Sequence, residues 1–269
     1  MDFLSNMVQK FLHLAPVAAP RSDAWAPSYE HVCEARAHLA RLGLPTELVL
    51  QILDHAQYWP QHQRAAECND RRPVMAAAQH GQASHAVICM HLDPMATTTA
   101  KHMQRNGEVP KVKCVDFAIK SRDQGWTSEN THGTFNTSSW LEVSILRTTG
   151  RGHTPAAGPR VSRAPLSNPS DLHHSVASQG WALVKRPETA KQGPQDGEGD
   201  FAWYLQGNRV AAGLDEYNIT WTDTGNLGNE GAGSGEGFLR ELTEGDRVLV
   251  WARAKCIVES ITMTVHYGL

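Results

Sequence analysis

The sequence predicts an α+β protein that is mostly β: a jelly-roll-like antiparallel β-sandwich preceded by a small helical hairpin. Three observations carry this prediction. Apolar residues recur at helical spacing before residue 60, apolar and polar residues alternate in short runs after residue 85, and helical periodicity is nearly absent after residue 110. The β-strand patterns fall into two stretches of the chain, and neither stretch alone has enough strands to cover its own apolar face. We therefore expect 85–147 and 200–269 to close into one sandwich.

Two helices are predicted near the start of the chain. The first begins after Ser28, a residue suited to capping a helix, and ends at Gly43. The second starts at Pro45, which favours the first turn of a helix, and carries Leu48 and Ile52 on its apolar stripe. The two helices follow each other closely, and this spacing predicts a hairpin.

These patterns divide the chain into three parts. Residues 1–60 form an N-terminal helical segment, whose first dozen residues are expected to be a short amphipathic helix. Docking of this helix on its own domain is the preferred interpretation, and contact with a membrane or a partner is the alternative. Residues 61–84, polar and rich in alanine, are assigned to a linker. Residues 85–269 form the sandwich. Within them, 148–200 is rich in Pro, Gly and Ser and reads as a loose insertion.

Within the β region, alternation with a period of two marks the strands. Residues 110–120 form a strong run whose inward phase slips by one residue after Cys114, and such a slip is typical of a β-bulge. In the last run, Ile261, Met263 and Val265 alternate with polar residues. This last run is the clearest strand pattern in the sequence.

Composition excludes several classes of protein. The chain has 269 residues with 25 basic and 28 acidic side chains, so its net charge of −3 gives no general attraction for nucleic acid. No run approaches the ~18 apolar residues of a membrane span, so we expect no transmembrane segment. Five cysteines without a CxxC pair are typical of free thiols in a reducing compartment, which favours the cytoplasm or nucleus.

Catalytic and metal-binding motifs are absent from the sequence. It contains no HExxH, paired CxxC, P-loop or GxSxG motif. Its fourteen histidines lack the spacing of metal ligands, so we expect scattered surface or core histidines, no metal site and no cofactor. A non-catalytic protein is therefore favoured. A hydrolase built on the acidic residues around Asp223 and Glu230 is the weakest alternative.

Tryptophan is the unusual component, with eight residues against five tyrosines and six phenylalanines. Trp203, Trp221 and Trp251 lie in alternating runs, and the first two share the phase of apolar neighbours and are expected in the core. Trp140 differs because it shares the phase of Glu142. We expect it on the polar face, as a ring that stacks on a ligand.

A dense polar segment, 121–126, follows the strongest strand, and 133–140 leads into the next. Carboxylate, amide and guanidinium groups beside indole rings can hold a sugar or a peptide. A tight turn is an equally open interpretation, with Asp123 capping it and Trp126 closing one end of the sandwich. The residues assigned to the ligand site are Arg122, Asp123, Gln124, Trp126, Trp140, Asn208 and Arg209.

One part of the chain contains CVDFAIKSRDQGW, GTF and SSWLEVSI, and a second part contains WYLQGNRVAA, YNITWTD and GEGFLRELTEGDRVLVWARA. These two parts resemble a group of uncharacterised fungal proteins. The similarity covers 110–146 and 201–267. It implies a β-sandwich and a fungal intracellular origin, and no activity transfers with it. Phe135, Leu141 and Tyr267-Gly268 replace aromatic residues that are common in the group, so a ligand platform made of those rings would differ here.

The string LPTELVLQIL at 44–53 resembles the opening of an F-box, whose helix docks on the adaptor of a ubiquitin ligase. That resemblance covers only the opening and implies partner contacts through Pro45, Leu48 and Ile52. The preferred interpretation of the whole chain is a non-catalytic recognition module that binds a small polar ligand, a sugar or a peptide, at one end of the sandwich. A substrate-recruiting subunit of a ubiquitin ligase is the main alternative.

Overall fold

The structure, a computed structural model, describes residues 25–67, 74–75, 86–128, 130–150, 165–190, 193, 199–223 and 225–268. Two antiparallel sheets pack face to face, with a few helices around them, so the predicted mostly β sandwich is confirmed. Among the helices of these residues, none is long and apolar enough to cross a membrane. The amphipathic helix predicted for the first dozen residues lies outside the described ranges.

Each sheet takes strands from both halves of the chain. The strands are β1 (Gln61–Glu67), β2 (Val74–Met75), β3 (Ala86–Leu92), β4 (Lys111–Arg122), β5 (Ser139–Thr148), β6 (Trp181–Leu183), β7 (Trp203–Gly207), β8 (Asp215–Thr222), β9 (Gly225–Gly228), β10 (Arg247–Ala254) and β11 (Ile257–Gly268). Sheet I has the order β1–β11–β4–β8–β9, with β2 also paired to β11, and sheet II has the order β3–β10–β5–β6, with β7 also paired to β5.

The main core lies between the two sheets. Phe117, Ile261 and Val265 of sheet I pack in one cluster with Val143 and Val250 of sheet II, and all five are buried. Burial of an aliphatic or aromatic side chain of this size contributes about 1.5–3 kcal/mol. Because the two halves of the chain alternate across both sheets, each apolar face is covered by the other sheet.

A β-bulge is present in β4 as predicted, but it lies at Lys113, before Cys114, whereas the sequence pattern placed the slip after Cys114. Tyr267 pairs with Val112 and His266 pairs with Cys114, so Lys113 is an extra residue without a partner position on β11. Beyond the bulge, alternate residues of β4 from Val115 to Ile119 face the core. The side chains of Cys114 and Asp116 consequently share the outer face of sheet I.

The outer face of sheet II is also covered. Helix α4 (Pro169–Ala177) and β6 come from the stretch 148–200, which the sequence predicts to be a loose insertion. Leu172 and Val176 of α4 pack with Trp181 and with Trp251 of β10. The insertion therefore supplies a second apolar layer, and β5 and β10 are buried on both faces.

The predicted helical hairpin is confirmed as α1 (Tyr29–Arg41) and α2 (Thr46–His55). Ser28 caps α1 by accepting a hydrogen bond from the His31 backbone N–H at 3.3 Å. The packed stripe of α2 differs from the predicted one. Val49 and Leu53 are buried against Val32 of α1, whereas Leu48 and Ile52 remain 46% and 43% exposed. Helices are wound at 3.6 residues per turn, so a stripe shifted by one residue still fits the same apolar pattern.

Two further helices complete the fold. Helix α3 (Thr98–Arg105) buries Ala100 and Met103 in the main core, and the short α5 (Phe238–Glu241) buries Phe238 there. The predicted linker, by contrast, contains a strand. Its first seven residues form β1 and pair with β11 along the edge of sheet I. An edge strand can be polar on both faces, so composition alone favoured a linker at this position.

Candidate functional site

The connection between β4 and β5 crosses from one sheet to the other at one end of the sandwich. Arg122 ends β4 in sheet I, and Ser139 begins β5 in sheet II. The pairs Ile257–Arg122 and Ala254–Ser139 bring the turn between β10 and β11 against the same end. We call residues 123–138 the rim connection. The helical hairpin lies near the opposite end of β4, where Asp54 pairs with Lys113 at 2.9 Å.

A small cleft of about 210 Å³ opens in the rim connection. It is lined mainly by hydroxyl, amide, carboxylate and ammonium groups, together with one indole ring. The lining residues are Asp123, Gln124, Trp126, Thr127, Ser128, Thr131, Asn136, Ser138, Ser139, Val210 and Lys255. We call this feature the rim cleft.

Trp126 is the exposed aromatic ring of the rim cleft. Its side chain is 62% exposed, so it does not close the end of the sandwich as the turn interpretation predicted. The Lys255 ammonium lies 5.3 Å from the centroid of the ring, within the range of a cation–π contact. The cleft thus offers an indole and a positive charge side by side.

The other predicted residues of the turn have structural roles. Asp123 is buried and accepts hydrogen bonds from the backbone N–H groups of Gly125 at 2.7 Å and Ala211 at 2.8 Å. The Gln124 side-chain amide donates to the Trp126 carbonyl at 3.0 Å. Gly125 adopts a φ of +88°, which favours glycine. Asp123 and Gln124 line the cleft and also hold its shape.

Asn208, predicted as a ligand contact, lies buried beneath the cleft. It accepts a hydrogen bond from the Ser121 hydroxyl at 2.7 Å and donates to the Ser139 hydroxyl at 2.8 Å. Its amide also lies 3.2 Å from the Cys256 sulfur. Burial raises the pKa of the Cys256 thiol to about 12, so the thiol is protonated at neutral pH. This network ties β4, β5 and the turn before β11 together.

Three further predicted site residues do not line the rim cleft. Trp140 is only 4% exposed, and its indole N–H donates to Glu142 at 3.1 Å, so it offers no open face for stacking. Arg209 is paired with Asp215 through two hydrogen bonds of 3.1 and 2.8 Å. Arg122 is exposed at the end of β4 and does not line the cleft. The sequence placed Trp140 on the correct face, but other parts of the chain cover that face.

Lys255, Thr131 and Asn136 line the cleft and were missed by the sequence analysis. Lys255 is more than 100 residues from the rim connection in the chain. Its proximity depends on the pairing of Ala254 with Ser139, which no local pattern reveals. Thr131 lies between the polar segments 121–126 and 133–140, and Asn136 lies within the second one, where composition alone does not separate cleft residues from turn residues.

The acidic residues of the hydrolase alternative are both exposed. Asp223 borders a separate groove of about 890 Å³, together with Val109, Lys111 and Leu239, and Glu230 follows β9. The described residues that line this groove include no aromatic ring. One group of potential metal ligands, Cys114, Asp116 and His266, lies on sheet I away from both cavities.

The comparisons with known proteins give the chain no relative from which a function can be transferred. No family model matches it, and no similar chain was found among the curated proteins or the solved structures. The rim cleft must therefore be interpreted from its own chemistry.

Proposed function

We propose that the protein is a non-catalytic recognition module that binds one unit of a polar ligand, a sugar ring or a peptide side chain, in the rim cleft. The observation that carries this proposal is the exposure of Trp126 beside a lining of hydroxyl and amide groups. An indole left in water costs free energy that a stacking ligand recovers. The neighbouring Thr, Ser and Asn side chains can exchange water for ligand hydrogen bonds.

The size of the cleft supports recognition of a single unit. Its volume of about 210 Å³ is smaller than the ~300–1,000 Å³ of sites that enclose a whole drug-sized molecule. The rest of a longer ligand would extend into solvent. Lys255 adds a preference for a ligand with a nearby carboxylate or sulfate, because its ammonium borders the same ring.

The hydrogen bonding of Asp123 favours binding over catalysis. Both of its carboxylate oxygens accept backbone N–H bonds. A general base needs an oxygen directed at the substrate, whereas these two oxygens are directed at backbone N–H groups of the protein. Asp123 therefore has a structural role, in which it holds the backbone that surrounds the cleft.

A glycan and peptide array tests the proposal with the whole protein and its Trp126→Ala variant. We expect the wild type to bind a set of polar ligands on the array, and Trp126→Ala to bind the same ligands at least ~10-fold more weakly, because the variant lacks the indole on which the ligand stacks. Trp25→Ala is the matched control, because Trp25 is also an exposed indole, 67% exposed, beside the helical hairpin. If Trp126→Ala bound the same ligands on the array as strongly as the wild type, this result would contradict the proposal.

A second candidate function rests on the helical hairpin. Leu48 and Ile52 are exposed on the side of α2 that does not pack on Val32, although exposing two aliphatic side chains on one helix face is unfavourable. A partner helix or an adaptor of a ubiquitin ligase would cover them. Co-purification tests this candidate: a partner retained by the wild type should be lost with Leu48→Glu and kept with Trp126→Ala.

A further inference from the structure

We propose that Cys114, Asp116 and His266 form a zinc-binding site on the outer face of sheet I. The thiol sulfur, a carboxylate oxygen and an imidazole nitrogen of these residues all lie within 4.8 Å of one another. They provide three different donor atoms of the kinds that bind Zn²⁺ in proteins. A water or ligand atom would complete a tetrahedral shell.

The strand register places the three side chains together. Cys114 of β4 and His266 of β11 are direct partners in the antiparallel ladder, and Asp116 lies two residues further along β4 on the same face. Side chains at such positions are neighbours on a sheet surface, with Cβ atoms about 5–7 Å apart. Because β4 and β11 are both inner strands of sheet I, their backbones are held on both sides.

The distances are close to those of a metal shell. The His266 Nε2 atom lies 2.7 Å from Asp116 Oδ2, and the Cys114 sulfur lies 3.8 Å from Asp116 Oδ1. In a tetrahedral zinc site with bonds of about 2.0–2.3 Å, donor atoms are about 3.3–3.7 Å apart. The separations of 2.7 and 3.8 Å lie on either side of this range.

The surroundings of the cluster favour a bound cation. Cys114 is buried, whereas the side chains of Asp116 and His266 are 17% and 20% exposed, so a metal ion can reach the donors from solvent. The Thr220 hydroxyl donates to Asp116 Oδ1 at 2.5 Å and fixes the orientation of the carboxylate. Hydrogen bonds of this kind to ligating groups tune metal sites.

The cluster is separate from the rim cleft. Asp116 lies within β4, and Asp123 directly follows that strand. Their separation of seven residues corresponds to about 23 Å of extended chain. Zinc binding would therefore be unaffected by Trp126→Ala, and loss of ligand binding at the cleft would leave the zinc proposal untouched. When Zn²⁺ binds, the Cys114 thiol gives its proton to solvent and coordinates as a thiolate.

Isothermal titration of the metal-free full chain with ZnCl₂ tests the site. We expect one equivalent of Zn²⁺ to bind, with affinity reduced at least ~10-fold in Cys114→Ser, Asp116→Asn and His266→Gln, because each removes one of three donors. Cys89→Ser and His62→Gln are matched controls at residues outside the cluster and should bind as the wild type does. Absence of binding, or binding that all three cluster variants retain, would overturn the proposal.

A measurement on the wild type makes the test independent of how the variants fold. The X-ray absorption spectrum of the zinc-loaded protein should show one sulfur at about 2.3 Å with nitrogen and oxygen neighbours at about 2.0–2.2 Å. Co²⁺ should likewise produce a thiolate charge-transfer band in the ultraviolet. A zinc shell without sulfur would mean that the metal binds elsewhere and that the three residues form only a hydrogen-bonded cluster.

Discussion

Glu142 and Arg253 form a salt bridge that is fully buried on the outer face of sheet II. The Arg253 guanidinium also lies 5.1 Å from the centroid of the Trp140 ring, and the Trp140 indole donates to the same carboxylate. A charged pair inside an apolar layer is stable only while both charges are present. This relationship explains why Trp140 is structural and is not a surface for stacking.

Removal of one charge from this pair should destabilise the fold strongly. We expect Glu142→Ala to lower the free energy of unfolding by about 3–5 kcal/mol, because it leaves a buried guanidinium without its carboxylate. Chemical denaturation measures the change. The double variant Glu142→Leu with Arg253→Met should lose less than the single variant, since it removes both charges together.

An exposed ion pair provides the control for that experiment. Lys120 and Glu216 are paired at 2.6 Å with both side chains at least half exposed. Glu216→Gln should change stability by less than about 1 kcal/mol. Equal losses for Glu142→Ala and Glu216→Gln would show that the Glu142–Arg253 pair is open to water in solution.

Asp123→Ala should destabilise the rim connection more than Trp126→Ala does. Each backbone N–H bond to a charged carboxylate contributes about 1.5–3 kcal/mol, and Asp123 accepts two of them. Asp123→Asn retains one acceptor and should lose less. Thermal unfolding should show that stability decreases in the order wild type, Asp123→Asn, Asp123→Ala. An Ala variant as stable as the wild type would contradict the structural role of Asp123.

The fluorescence of the tryptophans tests the exposure of Trp126 independently of any ligand. Trp203, Trp221 and Trp251 are fully buried, whereas Trp126 and Trp25 are exposed. We expect iodide to quench part of the tryptophan emission. This quenchable fraction should become smaller when Trp126 or Trp25 is replaced by Phe. If Trp126→Phe left the quenchable fraction unchanged, the indole would be shielded in solution.

Patterns that depend on one strand and one face were predictable from the sequence. Ile261, Met263 and Val265 face the core while their neighbours are partly exposed, so the alternation in the sequence follows directly from water on one side of the strand. The existence of a bulge in β4 was predictable for the same reason, because an extra residue reverses the phase of every residue beyond it, but its position at Lys113 was not.

Features that depend on distant parts of the chain were not predictable. The phase of Trp140 was correct, but its burial results from neighbours such as Tyr204 and Arg253, which approach through strand pairing. Lys255 reaches the cleft through the same pairing. The Cys114–His266 contact spans more than 150 residues of sequence, so no spacing of ligands could indicate it.

The glycine-rich loop 231–237, which follows β9, packs closely on the core. A Cβ atom at Gly233 would lie 1.8 Å from the Tyr204 carbonyl oxygen, and at Gly235 it would lie 2.4 Å from the Trp221 ring. Gly233→Ala should therefore cost about 1–3 kcal/mol, since backbone must move. Gly213→Ala, where the added atom has no neighbour within 4 Å, is the control and should be nearly neutral.

Acid should destabilise the protein partly through His62. Partial burial, and then the charge of Arg64, lowers the pKa of His62 below its usual 6.5. The folded state therefore binds this proton less readily than the unfolded state. Its contribution to stability is present above pH 6.5 and is lost as the pH falls through the lowered pKa. We expect the free energy of unfolding to decrease less between pH 7.5 and 5 in His62→Gln than in the wild type.

A second substitution separates the two causes of the His62 shift. Arg64→Gln removes the nearby positive charge but leaves the burial, which is the larger cause. The stability of Arg64→Gln should therefore depend on pH less strongly than that of the wild type and more strongly than that of His62→Gln. Equilibrium denaturation at a series of pH values gives the three slopes. Identical slopes would mean that His62 is as accessible to water in the folded protein as in the unfolded chain, and that the edge strand β1 pairs only loosely with β11 in solution.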